Sequence, residues 1–221
     1  MNYYRLAHQN GHEEASCDYA FMLISGQGVR QDIREGIRIY KQAAINQGNA
    51  TAMFNLGVIY AGQSACIRGK VPRDMNEAIE YFQKSADKGC PQAMTELGKL
   101  LRKGDYCAVN LERARAYFKE VALNEKLAEI EDCKKYHRDA QFLFGMMMVN
   151  GDGGRKDVTS GYLMVKKAAE AGHKAAIKNF GKLSCDPPED MDLGRLDKRR
   201  AYQLLQQLPE DDVVDDLLSR L

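Results

Sequence analysis

The residues with the chemistry to form a site are few, and each has a plainer role beside it. In NGDGGRKD (150–157), glycines expose backbone amides next to Arg155 and Lys156, the ingredients of a phosphate cradle. The order G-x-x-x-x-G-K-[ST] is missing, and similar glycine loops recur at SGQGV and RKGDY, so the stretch reads as a structural turn. Cys133 and His137 stand four apart, a spacing that can point two metal ligands from one helix face. Two ligands do not make a zinc site, and no second pair follows at zinc spacing. His8, His12 and His173 lie at or near turns between candidate helices, and no serine or cysteine has an identifiable base and orienting acid. No catalytic residue, metal or cofactor is expected.

Composition narrows the partners. Over 221 residues, 32 Lys plus Arg balance 31 Asp plus Glu, a net charge of +1. Bulk attraction to nucleic acid or anionic membrane is therefore not expected, and any electrostatic partner must be read by a local patch. The start, MNYYRLAHQNGHEEAS, lacks the basic and apolar regions of a secretory signal, and no run approaches the roughly 18 apolar residues of a membrane span. Cys17, Cys66, Cys90, Cys107, Cys133 and Cys185 form no CxxC pair, which suits reduced thiols in a cytoplasmic setting.

The elements that position these residues repeat. A small residue inside an apolar helical segment recurs at Ala20, Gly57, Gly98, Gly145 and Gly181, at intervals of 37, 41, 47 and 36 residues. Asp32, Asp74, Asn110, Asp157 and Asp197 each stand four residues before a second small residue, Gly36, Ala78, Ala114, Gly161 or Ala201, and are placed as N-caps. A bulky pair follows each: Ile39 and Tyr40, Tyr81 and Phe82, Tyr117 and Phe118, Met164 and Val165, Leu204 and Leu205. Gly48, Gly89 and Gly172 then close the unit in the left-handed conformation. A glycine inside a helix costs about 1 kcal/mol relative to alanine. Its recurrence predicts that the first helix of each unit approaches the second closely, with the bulky pair filling the hollow beside the small residue.

The pattern A-x-A-x-x-x-L-G-x-x-Y, glycine loop, D-x-x-x-A, aromatic pair, A-A-x-x-G, clearest in residues 51–89 and 140–173, resembles the Sel-1-like repeat, a relative of the tetratricopeptide repeat. The resemblance implies an all-α fold, an α/α superhelix built as a right-handed solenoid of antiparallel helix pairs. One solenoid domain is expected over 1–221, with a partial repeat at 1–12, repeats at 13–49, 50–90, 91–138, 139–173 and 174–208, and a C-terminal capping helix at 209–221. Departures are expected at GQSACIRGKVPRD, an expanded loop, and at LNEKLAEIEDCKKYHRD, read as a prolonged second helix with an apolar edge at Leu123, Leu127, Ile130 and Tyr136. Pro187 and Pro188 in CDPPEDMDLGR should stop the preceding helix near Ser184, the next resuming at about Leu196. The final EDDVVDDLLSRL places acids at a helix start, then an apolar stripe of Val213, Val214, Leu217, Leu218 and Leu221.

The family also implies a concave face lined by the first helices and used to hold peptides or protein partners, without catalytic apparatus. Its geometry points outward Cys17, Phe21 and Ile24; Phe54, Val58 and Ala61; Thr95, Lys99 and Arg102; Phe142, Met146 and Val149; and Lys178 and Lys182. The expected contact set is Phe21, Phe54, Val58, Lys99, Arg102, Phe142, Met146, Lys178 and Lys182, an apolar surface with a basic section suited to an acidic or amphipathic segment. Against this, the aromatics can be core between repeats and the cations a solvated face. Two other roles stay open: a penicillin-binding or hydrolysing protein like the bacterial cysteine-rich members, though their regularly placed cysteine pairs are missing here, and self-association, including a homodimer through the C-terminal helix.

Overall fold

Asp and Asn at the predicted caps do start helices. In the computed structural model, which describes residues 2–221 except 47, 193, 195 and 210, Asp32 accepts from the Glu35 amide at 3.0 Å, Asn110 from Arg113 at 2.9 Å, Asp157 from Ser160 at 3.0 Å and Asp197 from Arg200 at 3.0 Å. Asp74 takes two amides, of Asn76 and Glu77, at 3.0 and 3.1 Å. Each carboxylate or amide oxygen satisfies an amide that the helix itself cannot.

The chain forms two compact units, residues 1–97 and 98–221. The first holds α1 (Asn2–Gln9), α2 (Glu13–Ser25), α3 (Ile33–Asn46), α4 (Ala50–Tyr60), α5 (Met75–Asp87) and the start of α6 (Pro91–Lys103). The second holds the rest of α6, then α7 (Leu111–Leu123), α8 (Glu131–Asn150), α9 (Val158–Glu170), α10 (Lys174–Cys185), α11 (Lys198–Leu205) and α12 (Asp212–Arg220). No strand occurs among the described residues, and consecutive helices pack as pairs: α2 on α3 and α4 on α5, then α8 on α9 and α10 on α11. Among the described residues no helix is long and apolar enough to cross a membrane.

The helix-interior glycines make room for the bulky pairs. A Cβ on Gly57 would stand 2.5 Å from the Phe82 ring, one on Gly98 2.7 Å from Phe118, and one on Gly181 2.7 Å from Leu205. Phe82, Phe118 and Leu205 are fully buried. Where the bulky residue shrinks to Val165, the backbones close up and both helices need glycine: a Cβ on Gly145 would meet the Gly161 carbonyl oxygen at 2.8 Å, and one on Gly161 the Gly145 carbonyl at 2.7 Å. In the first pair the roles exchange, with Ala20 on α2 and Gly36 on α3, whose Cβ would lie 2.5 Å from Ile24.

Repeat ends follow the glycines, and the exception explains a misread segment. Gly11, Gly48, Gly89 and Gly172 all have φ between +63° and +83°. The third repeat has Asn124 after its last buried alanine, at φ −87° and ψ 85°, and the tight glycine turn is replaced by a 3-10 turn over Glu125–Ala128. The prolonged second helix expected here is therefore corrected: α7 stops at Leu123, and the added length belongs to α8, of 20 residues. Leu127 is buried while Leu123 and Ile130 are 53% and 49% exposed, so the supposed apolar edge is not one face. The expanded loop of the second repeat folds a 3-10 turn, Ala65–Ile67, whose Ile67 joins the core with α2.

At the C-terminal end α10 stops at Cys185, and α11 begins at Lys198, after Asp197 and two residues beyond the expected Leu196. Leu193 and Arg195 of that connection lie outside the described residues, as does Glu210, one of the acids assigned to the last helix start. Asp211 caps α12 by accepting from Val213 and Val214 at 3.1 and 2.9 Å. Val214 and Leu217 are buried in the core with α10 and α11, Leu218 and Leu221 pack partly against it, and Val213 stays 56% exposed.

Candidate partner-binding face

Within the first unit, the outward positions divide between surface and core. Phe21 on α2 is 48% exposed, and Val58 on α4 is half-buried. Phe54 is not available: it is 8% exposed and packs on Phe82 with ring centroids 5.9 Å apart. Cys17, Ile24 and Ala61 are likewise buried. The cause is the glycine itself, since the space left by Gly57 admits the Phe82 ring, and that ring reaches its neighbour one turn away on α4.

In the second unit three first helices, α6, α8 and α10, supply the face. Arg102 and Lys182 are exposed, and Phe142, Met146, Lys99 and Lys178 are half-buried; Val149 is buried. Thr95, at the start of α6 in the first unit, is fully buried. The three lysines and Arg102 are not equivalent cations. Lys99 donates to Asp139 Oδ2 at 2.8 Å, and Lys178 pairs with Asp211, the cap of α12. Burial by itself would raise the Asp139 carboxyl, but hydrogen bonds from His173 and Lys99 outweigh it and hold its pKa to about 2.

His173 has two duties that together set its tautomer. As N-cap of α10 its Nδ1 accepts from the Ala176 amide at 3.0 Å, so its proton sits on Nε2, which faces Asp139 Oδ1 at 3.3 Å. The ring also packs against Phe142 at a tilt, centroids 4.8 Å apart. Lys99, Asp139, Phe142 and His173 thus tie together α6, α8 and α10. Asp139, His173 and Asp211 were missed as site residues. The signal was present as opposite charges one repeat apart, 40 residues from Lys99 to Asp139 and 33 from Lys178 to Asp211.

The other candidates take structural places. Cys133 and His137 are buried on α8, with His137 Nε2 3.2 Å from the Ala122 carbonyl. In NGDGGRKD, Arg115 of α7 donates to the carbonyls of Asp152 and Arg155 at 3.0 and 2.7 Å. A Cβ on Gly153 would lie 2.2 Å from the Leu111 carbonyl oxygen, so this glycine permits close backbone contact with the start of α7. The six cysteines are unbridged, and Cys66 is exposed. Of the successive methionines, Met147 is buried, and Met146 and Met148 are half-buried.

Capped helix pairs packed through glycine and repeated along the chain define a helical-repeat solenoid protein. The family model for the Sel1 repeat matches residues 13–47, 50–90, 91–124 and 138–173, and the chain belongs to that family. Among solved structures it is similar to a Sel1 repeat protein from Oxalobacter formigenes, with TM-score 0.66 and 23% identity over 92% of this chain and 72% of that one. It is also similar to one from Klebsiella pneumoniae, with TM-score 0.51 and 19% identity over 98% and 96%. Both establish the fold.

Two relatives carry functional names. The chain is 30% identical over 129 residues to the chitin synthase regulator SKT5 of Saccharomyces cerevisiae, covering 57% of this chain and 18% of that protein. It is 25% identical over 129 residues to the exopolysaccharide production negative regulator of Rhizobium meliloti, covering 55% and 48%. The matched region thus spans less than half of either relative. Sel1 repeat proteins are in general protein-interaction modules.

Proposed function

We propose that the chain is a non-enzymatic scaffold that holds a protein or peptide partner on the exposed faces of its first helices. In the second unit the contact residues are Arg102, Phe142, Met146 and Lys182, and in the first they include Phe21 and Val58. The observation that carries this reading is the separation of the basic residues into two kinds. Lys99 and Lys178 are committed to Asp139 and Asp211, whereas Arg102 and Lys182 stand exposed on α6 and α10, four residues after Gly98 and one after Gly181, on helices that flank that of Met146 in repeat order. Methionine supplies an adaptable apolar contact, and the flanking cations favour an acidic or amphipathic segment. The regulatory names of the two relatives agree with an adaptor, and unbridged cysteines with a cytoplasmic setting.

The test is paired crosslinking capture from the native host's lysate, using wild type and Arg102→Glu with Lys182→Glu after equal helicity is established by circular dichroism. A partner retained by wild type and lost by the variant is the expected result. Equal capture by both proteins would refute the assignment. Lys99 is left intact in this variant because reversing it would set Glu beside Asp139 and disturb the fold.

A further inference from the structure

Residues 125–137 fall outside the repeats matched by the family model. Together with α8 and the end of α9 they build a cleft of about 640 Å³ in the second unit, inside the range of roughly 300–1,000 Å³ usual for ligand sites. Its wall is charged: Lys134, Lys135, Arg138 and Lys167 line it with Glu125 and Glu131.

The acids of the wall are already engaged. Glu125 accepts from Lys167 at 3.0 Å and Glu131 from Lys134 at 2.5 Å. A third carboxylate, Glu170, meets Arg200 at 3.3 Å. Lys135 and Arg138 have no carboxylate partner among the described residues. Lys135 lies 5.7 Å from the Tyr136 ring centroid, and Arg138 donates through Nη1 to the Ala171 carbonyl at 2.9 Å. The Arg138 Nε–H is buried with no acceptor among the described residues. Beside it His137 and Gln141, 3% and 4% exposed, add a polar floor.

A guanidinium donor shut away from water without an acceptor is unfavourable, so a ligand that draws the group round to a better orientation is favoured. Arginine offers Nε and one Nη in a fork that matches the two oxygens of a carboxylate. Two cations without a carboxylate in contact, on a wall of four cations and three carboxylates, leave the cleft able to take an added anion. The three carboxylates on the wall select a singly charged carboxylate over a phosphate dianion, because like charges at close range repel.

We infer that this cleft is a second binding site, which receives an Asp or Glu side chain of an acidic peptide, with Arg138 and Lys135 holding the carboxylate. The inference rests on the scaffold function proposed above but uses different residues from the first-helix face. The test is an NMR titration of the full ¹⁵N-labelled chain with hexaglutamate, following the Arg138 Nε–H signal, assigned by its loss in Arg138→Lys, together with the backbone amide signals of residues 134–141, which report binding in every variant. A saturable shift is expected, weakened at least tenfold by Lys135→Glu with Arg138→Gln and unchanged in Arg102→Glu with Lys182→Glu; Lys135→Gln serves if the first variant does not fold. The proposal is overturned by no saturable shift, by tighter binding of inorganic phosphate, or by loss only in the Arg102→Glu, Lys182→Glu variant. The last result would leave the scaffold function standing with the first-helix face as its site.

Discussion

Gly57 shows how a locally unfavourable residue stabilises the fold. Alanine there would gain about 1 kcal/mol of helix propensity, but its Cβ would enter the Phe82 ring at 2.5 Å, and overpacking of a full core costs typically about 1–3 kcal/mol. The expected outcome is that Gly57→Ala lowers stability in chemical denaturation and that Phe82→Leu in the same chain restores part of the loss. Simple additivity of the two destabilisations would contradict the account. Asp139 gives the second prediction at this scale. Its pKa is held at about 2 against an ordinary 3.8, so its stabilisation is complete above about pH 4 and fades as pH falls toward 2. Allowing for solvent screening, Asp139→Asn is expected to cost on the order of 1–2 kcal/mol at pH 7 and much less at pH 2, measured by urea denaturation at both. An equal cost at the two pH values would show that the carboxylate's charge is irrelevant.

At the scale of elements, the helix starts, the close-packed pairs and the glycine turns were legible because each rests on one or two residues acting locally. Asp74 and Asn110 need only the next turn of chain to act as caps, and Gly89 needs only its own φ. What was not legible depends on non-local contacts. Phe54 carries the pattern of an outward residue, and only the space above Gly57 shows that Phe82 covers it. Lys99 and Lys178 look like free cations until the repeat geometry brings Asp139 and Asp211 to them. Likewise, LNEKLAEIEDCKKYHRD has apolar residues near helical spacing, and the break at Asn124 follows from the absence of a left-handed glycine together with burial of Leu127. The prediction belonging here is that Leu127→Ala, which removes the anchor of the 3-10 turn, costs about 2–4 kcal/mol and raises amide hydrogen exchange first in residues 124–134. Uniform exchange with no local opening would mean that the turn is not held by this side chain.

For the molecule as a whole, a net charge of +1 leaves no long-range field to gather partners, so recognition must come from short-range patches. That agrees with membership in a family of interaction modules and gives the exposed Arg102 and Lys182 their weight. The central claim is that these two residues, with Met146 between them in repeat order, hold an acidic or amphipathic partner. Its most direct test is the affinity of the captured partner, by titration calorimetry, for wild type and for Arg102→Glu with Lys182→Glu at low and at physiological salt. The account predicts a loss of at least tenfold in the variant, about 1.4 kcal/mol or more, with affinity that falls as salt rises in wild type and does not fall in the variant, where two glutamates replace the cations. Equal affinities for two equally folded proteins would contradict it.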